Sequence, residues 1–230
     1  MKKALLIMAA ALMTMTQCKK DDDNEPGGGG GGGGTGDHAY VDLGLPSGLL
    51  WATCNVGADS PEDYGDYFAW GETETKSEYC WSTYKWCNGS ETTLTKYNND
   101  SNYGTVDNKT VLDLEDDAAR ANWGGDWRMP TYDEMRELYD NCTWEWTTQN
   151  GVNGSKFTGS NGSSIFLPAA GFYGYNLYDA GSVGSYFSSS LSTDDPNNAC
   201  SLDFTSGYVG VSYSSRRFGR SVRPVCPSQN

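Results

Sequence analysis

Apolar residues are spaced differently in successive parts of this chain. Residues 4–16 are an almost continuous apolar run, shorter than the ~20 residues a membrane-spanning helix needs. Between 19 and 37 apolar side chains are absent. Segments 40–45 and 49–53 are short and apolar-rich on either side of Pro46-Ser47-Gly48, which predicts an opening hairpin. Residues 63–72, DYGDYFAWGE, mix rings and acids without a period and read as irregular, and 76–110 are polar, Asn-rich and loop-like. The pattern then predicts a helix over 114–121. Asp113, Glu115, Asp116 and Asp117 lie near its positive end, and Gly124-Gly125 stop it. A second helix starts at a Thr131/Glu134 capping box behind Pro130, with Met135, Leu138 and Tyr139 on one face. The acids of both helices read as caps or solvated faces rather than a catalytic pair. Beyond Asn141 the runs shorten to strands at 142–147, 154–158, 165–167, 186–191, 199–204, 208–213 and 220–225, with a turn at Gln149-Asn150-Gly151. In 199–205, Cys200, Leu202 and Phe204 fall on one face and Ser201, Asp203 and Thr205 on the other. Two helices early and short antiparallel strands late predict an α+β domain.

The N-terminal pattern divides the chain. Met1-Lys2-Lys3, the apolar run and then Cys18 are the parts of a secretory signal that ends at a cysteine. Residues 1–17 are therefore expected to be a lipoprotein signal peptide, with the lipid carried on Cys18. The alternative is an ordinary signal with an incidental cysteine, and Gln17 stands where a small residue is usual. Asp21 to Pro26 and the eight glycines from Gly27 to Gly34 form a tether, which places 18–37 between the anchor and a head at 38–230. No strand precedes these glycines and no Gly-Lys-Ser/Thr follows, so they do not cradle phosphate.

Composition narrows the chemistry. The net charge is −14, and loss of Lys2 and Lys3 with the signal would make it more negative, which argues against nucleic acid or an anionic bilayer as partner. The 15 tyrosines and 29 glycines, with many Ser and Asn, suit adaptable binding loops as well as an aromatic core with polar turns. His38 is the sole histidine, which excludes a Ser-His-Asp triad or a His-ligated metal. Six cysteines follow Cys18, and an exported chain can oxidise them. Spacing does not fix their pairing; Cys80 with Cys87, in an aromatic loop, is the favoured local bridge.

Several segments together carry a resemblance: 40–58 (YVDLGLPSGLLWATCNVGA), 64–72 (YGDYFAWGE), 122–131 (NWGGDWRMPT), 165–171 (IFLPAAG), 186–191 (YFSSSL) and 219–225 (GRSVRPV). They resemble the Fibrobacter succinogenes major paralogous domain family of Bacteroidetes surface lipoproteins. The stretch from Cys18 to Asp23 resembles the export signal of lipoproteins displayed on the outer membrane of such bacteria. The resemblance implies a C-type-lectin-like fold with paired chain ends, and a binding face on the C-terminal strands and loops. It implies that Trp51, Trp70, Trp127 and Leu167 are core and that Arg223 is a buried, paired arginine.

The same resemblance points to variable proteins of diversity-generating retroelements, in which side chains near the C-terminus form the ligand surface. In this chain the corresponding candidates are Tyr173, Tyr175, Tyr178, Tyr186, Asp195, Asn197, Asp203, Tyr208, Tyr213, Ser215, Arg217 and Phe218. The expected function is a surface-displayed adhesin or receptor for a protein or glycan, without a cofactor and without catalysis. Drifting surface loops in a set of paralogues are the plainer reading of the same residues. A calcium-dependent lectin is the first alternative, because Asp194-Asp195-Pro196-Asn197-Asn198 resembles the Glu-Pro-Asn motif of C-type lectins and carboxylate and amide oxygens suit Ca²⁺. Asp203 is near, but a second acidic-amide cluster is missing, and the stretch is also a standard turn. A formylglycine-generating-like enzyme is the second; it needs a close cysteine pair, and Cys200 and Cys226 are distant in sequence.

Overall fold

The computed structural model describes residues 38–228; the expected leader 1–17, Cys18 and the tether lie outside the described residues. The domain is α+β, with two helices and several small antiparallel sheets. The opening hairpin pairs β1 (Tyr40–Asp42) with β2 (Leu50–Ala52). Its strands are shorter than the apolar runs because Gly44 and Gly48 take positive φ and turn Leu43 and Leu45 into the core. Helix α1 (Ala118–Trp123) begins later than the acid-rich pattern predicts. Residues Leu114–Asp116 form a 3₁₀ turn, and extended Asp117 caps α1 by accepting from the N–H groups of Ala119 and Arg120. Helix α2 (Tyr132–Asn141) carries the expected Thr131/Glu134 box and buries Met135 and Leu138.

A three-stranded sheet follows, β3 (Thr143–Gln149), β4 (Val152–Thr158) and β5 (Ser164–Pro168), in that order. Next comes a small hairpin, β6 (Phe172–Tyr173) with β7 (Leu177–Tyr178). The last large sheet has β8 (Gly184–Leu191) and β10 (Tyr208–Ser215) flanking β9 (Asn198–Thr205). The final strand, β11 (Val225–Cys226), pairs with β2, Val225 opposite Trp51, so the ends of the domain meet on one sheet. The expected strand over 220–225 reduces to this pair. Upstream of it the chain changes neighbour, from Phe68 at Arg220 to Val56 at Val222, and Pro224 has no N–H to extend a ladder.

The β8–β10 sheet has core on both sides. One side packs Tyr186, Leu202, Phe204 and Val209 with Met135 and Leu138 of α2; the other packs Phe187, Leu191 and Ala199 with Trp70, Tyr97 and Leu112. Simple alternation therefore fails in β9, where Ser201 is buried beside Cys200 and Leu202. Trp51, Trp70, Trp127 and Leu167 are core residues. The polar region 76–110 also supplies core, with Tyr79, Tyr84, Leu94 and Tyr97 buried. Cys80 and Cys87 are free thiols, not a bridge. The Cys80 sulfur meets the Ser82 hydroxyl at 3.1 Å, and the Cys87 thiol donates to the Trp81 carbonyl at 3.1 Å.

Candidate functional site

Five of the twelve candidate residues come together in one patch: Tyr173, Tyr175, Tyr178, Arg217 and Phe218. Three segments build it. The β6–β7 hairpin turns through Gly174, whose N–H donates to the Asn176 carbonyl at 2.9 Å. The turn after β10 is stitched to it at Tyr173, which exchanges backbone hydrogen bonds with Gly219 at 2.8 and 2.9 Å. The third segment joins where the Tyr79 N–H donates to the Gly174 carbonyl at 3.0 Å. Gly219 has to be glycine here, because a Cβ would lie 2.8 Å from the Tyr79 ring.

On this frame the rings form two groups. Phe172 stacks on Tyr178 at 5.4 Å and meets Phe218 at 5.3 Å, while Tyr173 meets Tyr79 at 5.6 Å and Tyr67 at 5.7 Å. The Arg217 guanidinium lies over Phe218 at 4.3 Å and faces Trp81 at 5.9 Å. Tyr175 is 63% exposed and Tyr178 42%, so their faces are open to a ligand. The rings beneath are fixed. Tyr67 donates to the Ala170 carbonyl at 2.6 Å and Tyr79 donates to the Tyr67 carbonyl. Burial pushes the Tyr79 hydroxyl up to about 12 and raises Tyr67 still further, so both stay neutral donors. Cys80 sits at the edge of the patch. Hydrogen bonds from Ser82 first, then from Thr83 and Tyr175, hold its thiol down to about 7.

The other candidates lie elsewhere. Tyr186 is removed from the ligand surface: it is 1% exposed, stacks on Phe204 and donates to the Pro168 carbonyl at 2.7 Å, because β8 is covered on both faces. Asp203 accepts from the Ser185 hydroxyl at 2.6 Å, and that hydroxyl accepts from buried Arg220 at 2.6 Å, so Asp203 offsets an internal charge. The Asp195 carboxylate is committed to its own turn, accepting from the Asn197 N–H at 3.0 Å and the Asn198 amide at 2.8 Å. The Asn197 amide oxygen is buried without a partner. Ser215 ends β10, and its carbonyl accepts from the Phe218 N–H at 3.2 Å, which closes the turn carrying Arg217. Tyr208 and Tyr213 are exposed on β10, outside the ring contacts of the patch. Of the cysteines in the enzyme reading, Cys200 lies in β9 and Cys226 packs with Leu50, Ala52 and Trp127.

Arg216, Phe172, Trp81 and Tyr79 shape the patch and were not among the candidates. Phe172 opens the candidate segment 172–220, and an aromatic loop surrounds Cys80 and Cys87, but only the fold joins them. Arg216 is fully buried under the turn. It donates to the Tyr84 hydroxyl at 2.7 Å and to the carbonyls of Tyr97, Pro196 and Lys96 at 2.8–3.0 Å. Arg223 is buried as expected, but its Nε and one terminal nitrogen donate to the Asn55 side chain and the carbonyls of Ala52 and Thr53 rather than to an acid, and its other terminal nitrogen is left without a partner.

Among the described residues one carboxylate cluster, Asp113, Glu115 and Asp116, has metal-like spacing. Its centre is taken by the Lys96 ammonium, 2.7 Å from Asp113 and 2.6 Å from Asp116, and Tyr97 also donates to Asp116 at 2.6 Å. A groove of about 370 Å³ between Glu72–Lys76 and Thr83–Lys85 is polar, with Lys76 paired to Glu72 at 2.8 Å. Among the described residues no helix is long and apolar enough to cross a membrane. Comparison with protein-family models, with curated proteins and with solved structures found no match to this chain.

Proposed function

We propose that this chain is a surface-displayed lipoprotein whose C-type-lectin-like head binds a protein or glycan ligand. Recognition falls to the aromatic patch of the β6–β7 hairpin and the 215–219 turn. The observation that carries this reading is the exposure of Tyr175 and Tyr178 on a bonded frame, beside a guanidinium laid on Phe218. Exposed rings on a rigid support give contact area at small entropic cost. Paired domain ends, two helices and the late antiparallel sheet support the lectin-like assignment. Cys18 would carry the lipid that holds the head at the outer membrane, and the five patch residues fall within the segment a retroelement would rewrite. Binding is preferred to catalysis because the patch holds no nucleophile-base pair and the buried acids are engaged in caps and ion pairs.

The test is a binding screen of the intact protein against glycan and bacterial-surface-protein panels. Y175A/Y178A should abolish the captured ligand, while Y208A/Y213A, on β10, should retain it. Retention by Y175A/Y178A would move the binding face elsewhere. Sequencing codons 172–220 in sibling isolates tests diversification, and loss of labelled-palmitate incorporation in C18A tests the anchor.

A further inference from the structure

Resting on the recognition surface proposed above, we infer that its ligand is a carboxylate-bearing sugar, with Arg217 binding the carboxylate and the tyrosine rings packing on the sugar's C–H face. The chain has seven arginines. Arg120, Arg128 and Arg136 are ion-paired to Asp126, Glu134 and Asp140. Arg216, Arg220 and Arg223 are buried and hydrogen-bonded. Arg217 alone has no hydrogen-bonded or ion-paired partner among the described residues, and its Nε is shut off from water with nothing to donate to. In a molecule of net charge −14 an internal acid would be an easy partner, and none is placed there.

With no partner of its own to give up, the guanidinium fork is open to a ligand acceptor. The planar fork matches a carboxylate with two parallel hydrogen bonds. Contact with Phe218 and Trp81 already fixes the guanidinium, so little side-chain freedom is left to lose. Tyr175 lies within the electrostatic reach of Arg217, and its open face offers a flat apolar surface beside the charge.

Ring faces beside a single cation favour a sugar over an acidic peptide. The exposed faces of Tyr175 and Tyr178 offer flat apolar surface for a sugar's C–H face, beside one guanidinium for one carboxylate. Glu78, exposed and within electrostatic reach of Tyr175, repels each carboxylate brought to the patch and so disfavours a run of them more than one.

The test is calorimetric titration of the full chain with 3′-sialyllactose and methyl glucuronide, set against lactose, the glucuronide methyl ester and a Glu-rich hexapeptide. An acidic sugar should bind at least tenfold more tightly than its neutral counterpart. R217Q should erase that difference while leaving the melting temperature unchanged, and R217K should keep part of it. Equal binding of acid and neutral forms, wild-type affinity in R217Q, preference for the peptide, or no binding of either acidic sugar at millimolar concentration would each overturn the inference. A neutral glycan or protein lost in Y175A/Y178A but not in R217Q would overturn the carboxylate and leave the recognition surface standing. Ligand binding that survives Y175A/Y178A would remove the surface itself.

Discussion

Replacing Arg216 with alanine should unfold more of this domain than any change at its neighbour Arg217. The guanidinium of Arg216 is the hub for the 84 segment, the 96–97 loop and the 195–197 turn, through four hydrogen bonds of 2.7–3.0 Å. It also lies 4.9 Å above the Trp70 ring and 5.2 Å from Tyr84. Truncation leaves three carbonyls without their donor in a site closed to solvent. At about 1 kcal/mol for each orphaned acceptor, plus the emptied volume and the lost ring contacts, the cost is about 4 kcal/mol. That is a large share of the 5–15 kcal/mol typical of a domain. R216K keeps one cation but cannot reach all four acceptors, and should lose about 2 kcal/mol. R217A should lose less than about 0.5 kcal/mol, because nothing depends on its side chain for a partner. Urea unfolding of the full chain followed by tryptophan fluorescence measures this. With a slope of roughly 3 kcal/mol/M the R216A midpoint should fall by about 1.3 M. The reasoning fails if R216A stays within about 1 kcal/mol of wild type, or if R217A costs as much as R216A.

Three further outcomes follow from the packing and the thiols. The ¹³Cβ shift of Cys80 should titrate near 7 and move upward in S82A, since the Ser82 hydroxyl is the main stabiliser of the thiolate; a midpoint near 9 in wild type would refute this. Cys142, Cys200 and Cys226 are buried with pKa values of about 11, above the ordinary 9. A raised folded-state value means their stabilisation is complete below pH 9 and is lost as pH rises through 11, about 2–3 kcal/mol each at most. Urea midpoints from pH 8 to 11 should therefore fall, and a flat profile would count against buried neutral thiols. G184A places a Cβ 1.9 Å from the Phe204 ring at the centre of the core, and should lower stability by about 1–3 kcal/mol in thermal melts; an unchanged melt would mean the ring moves freely.

The parts of the fold that could be read from sequence are those governed by local rules. The Thr131/Glu134 box and the Met135–Leu138 spacing mark α2, and the Asn150-Gly151 turn joins β3 to β4. What escaped depended on where elements pack. Alternation assigns faces only when one face is wet, and β8 has core on both, which is why Tyr186 was misread as surface. The polar stretch 76–110 reads as loop-like, yet it delivers Tyr79, Tyr84 and Tyr97 into the core. Arg216 and Arg217 are the same residue type side by side. The turn after β10 sends Arg216 into the core and Arg217 onto Phe218. No property of either residue alone distinguishes them.

The pairing of β11 with β2 makes this head a cassette. The first and last strands of the described residues lie on one small sheet, so the domain can be spliced into a loop of a host protein without stretching the host backbone. It can also be rejoined end to end and reopened elsewhere, at a glycine turn such as Gly89 where a side chain would meet nothing. The rings of the patch fall between Tyr67 and Phe218, inside those ends. They would travel with the cassette intact.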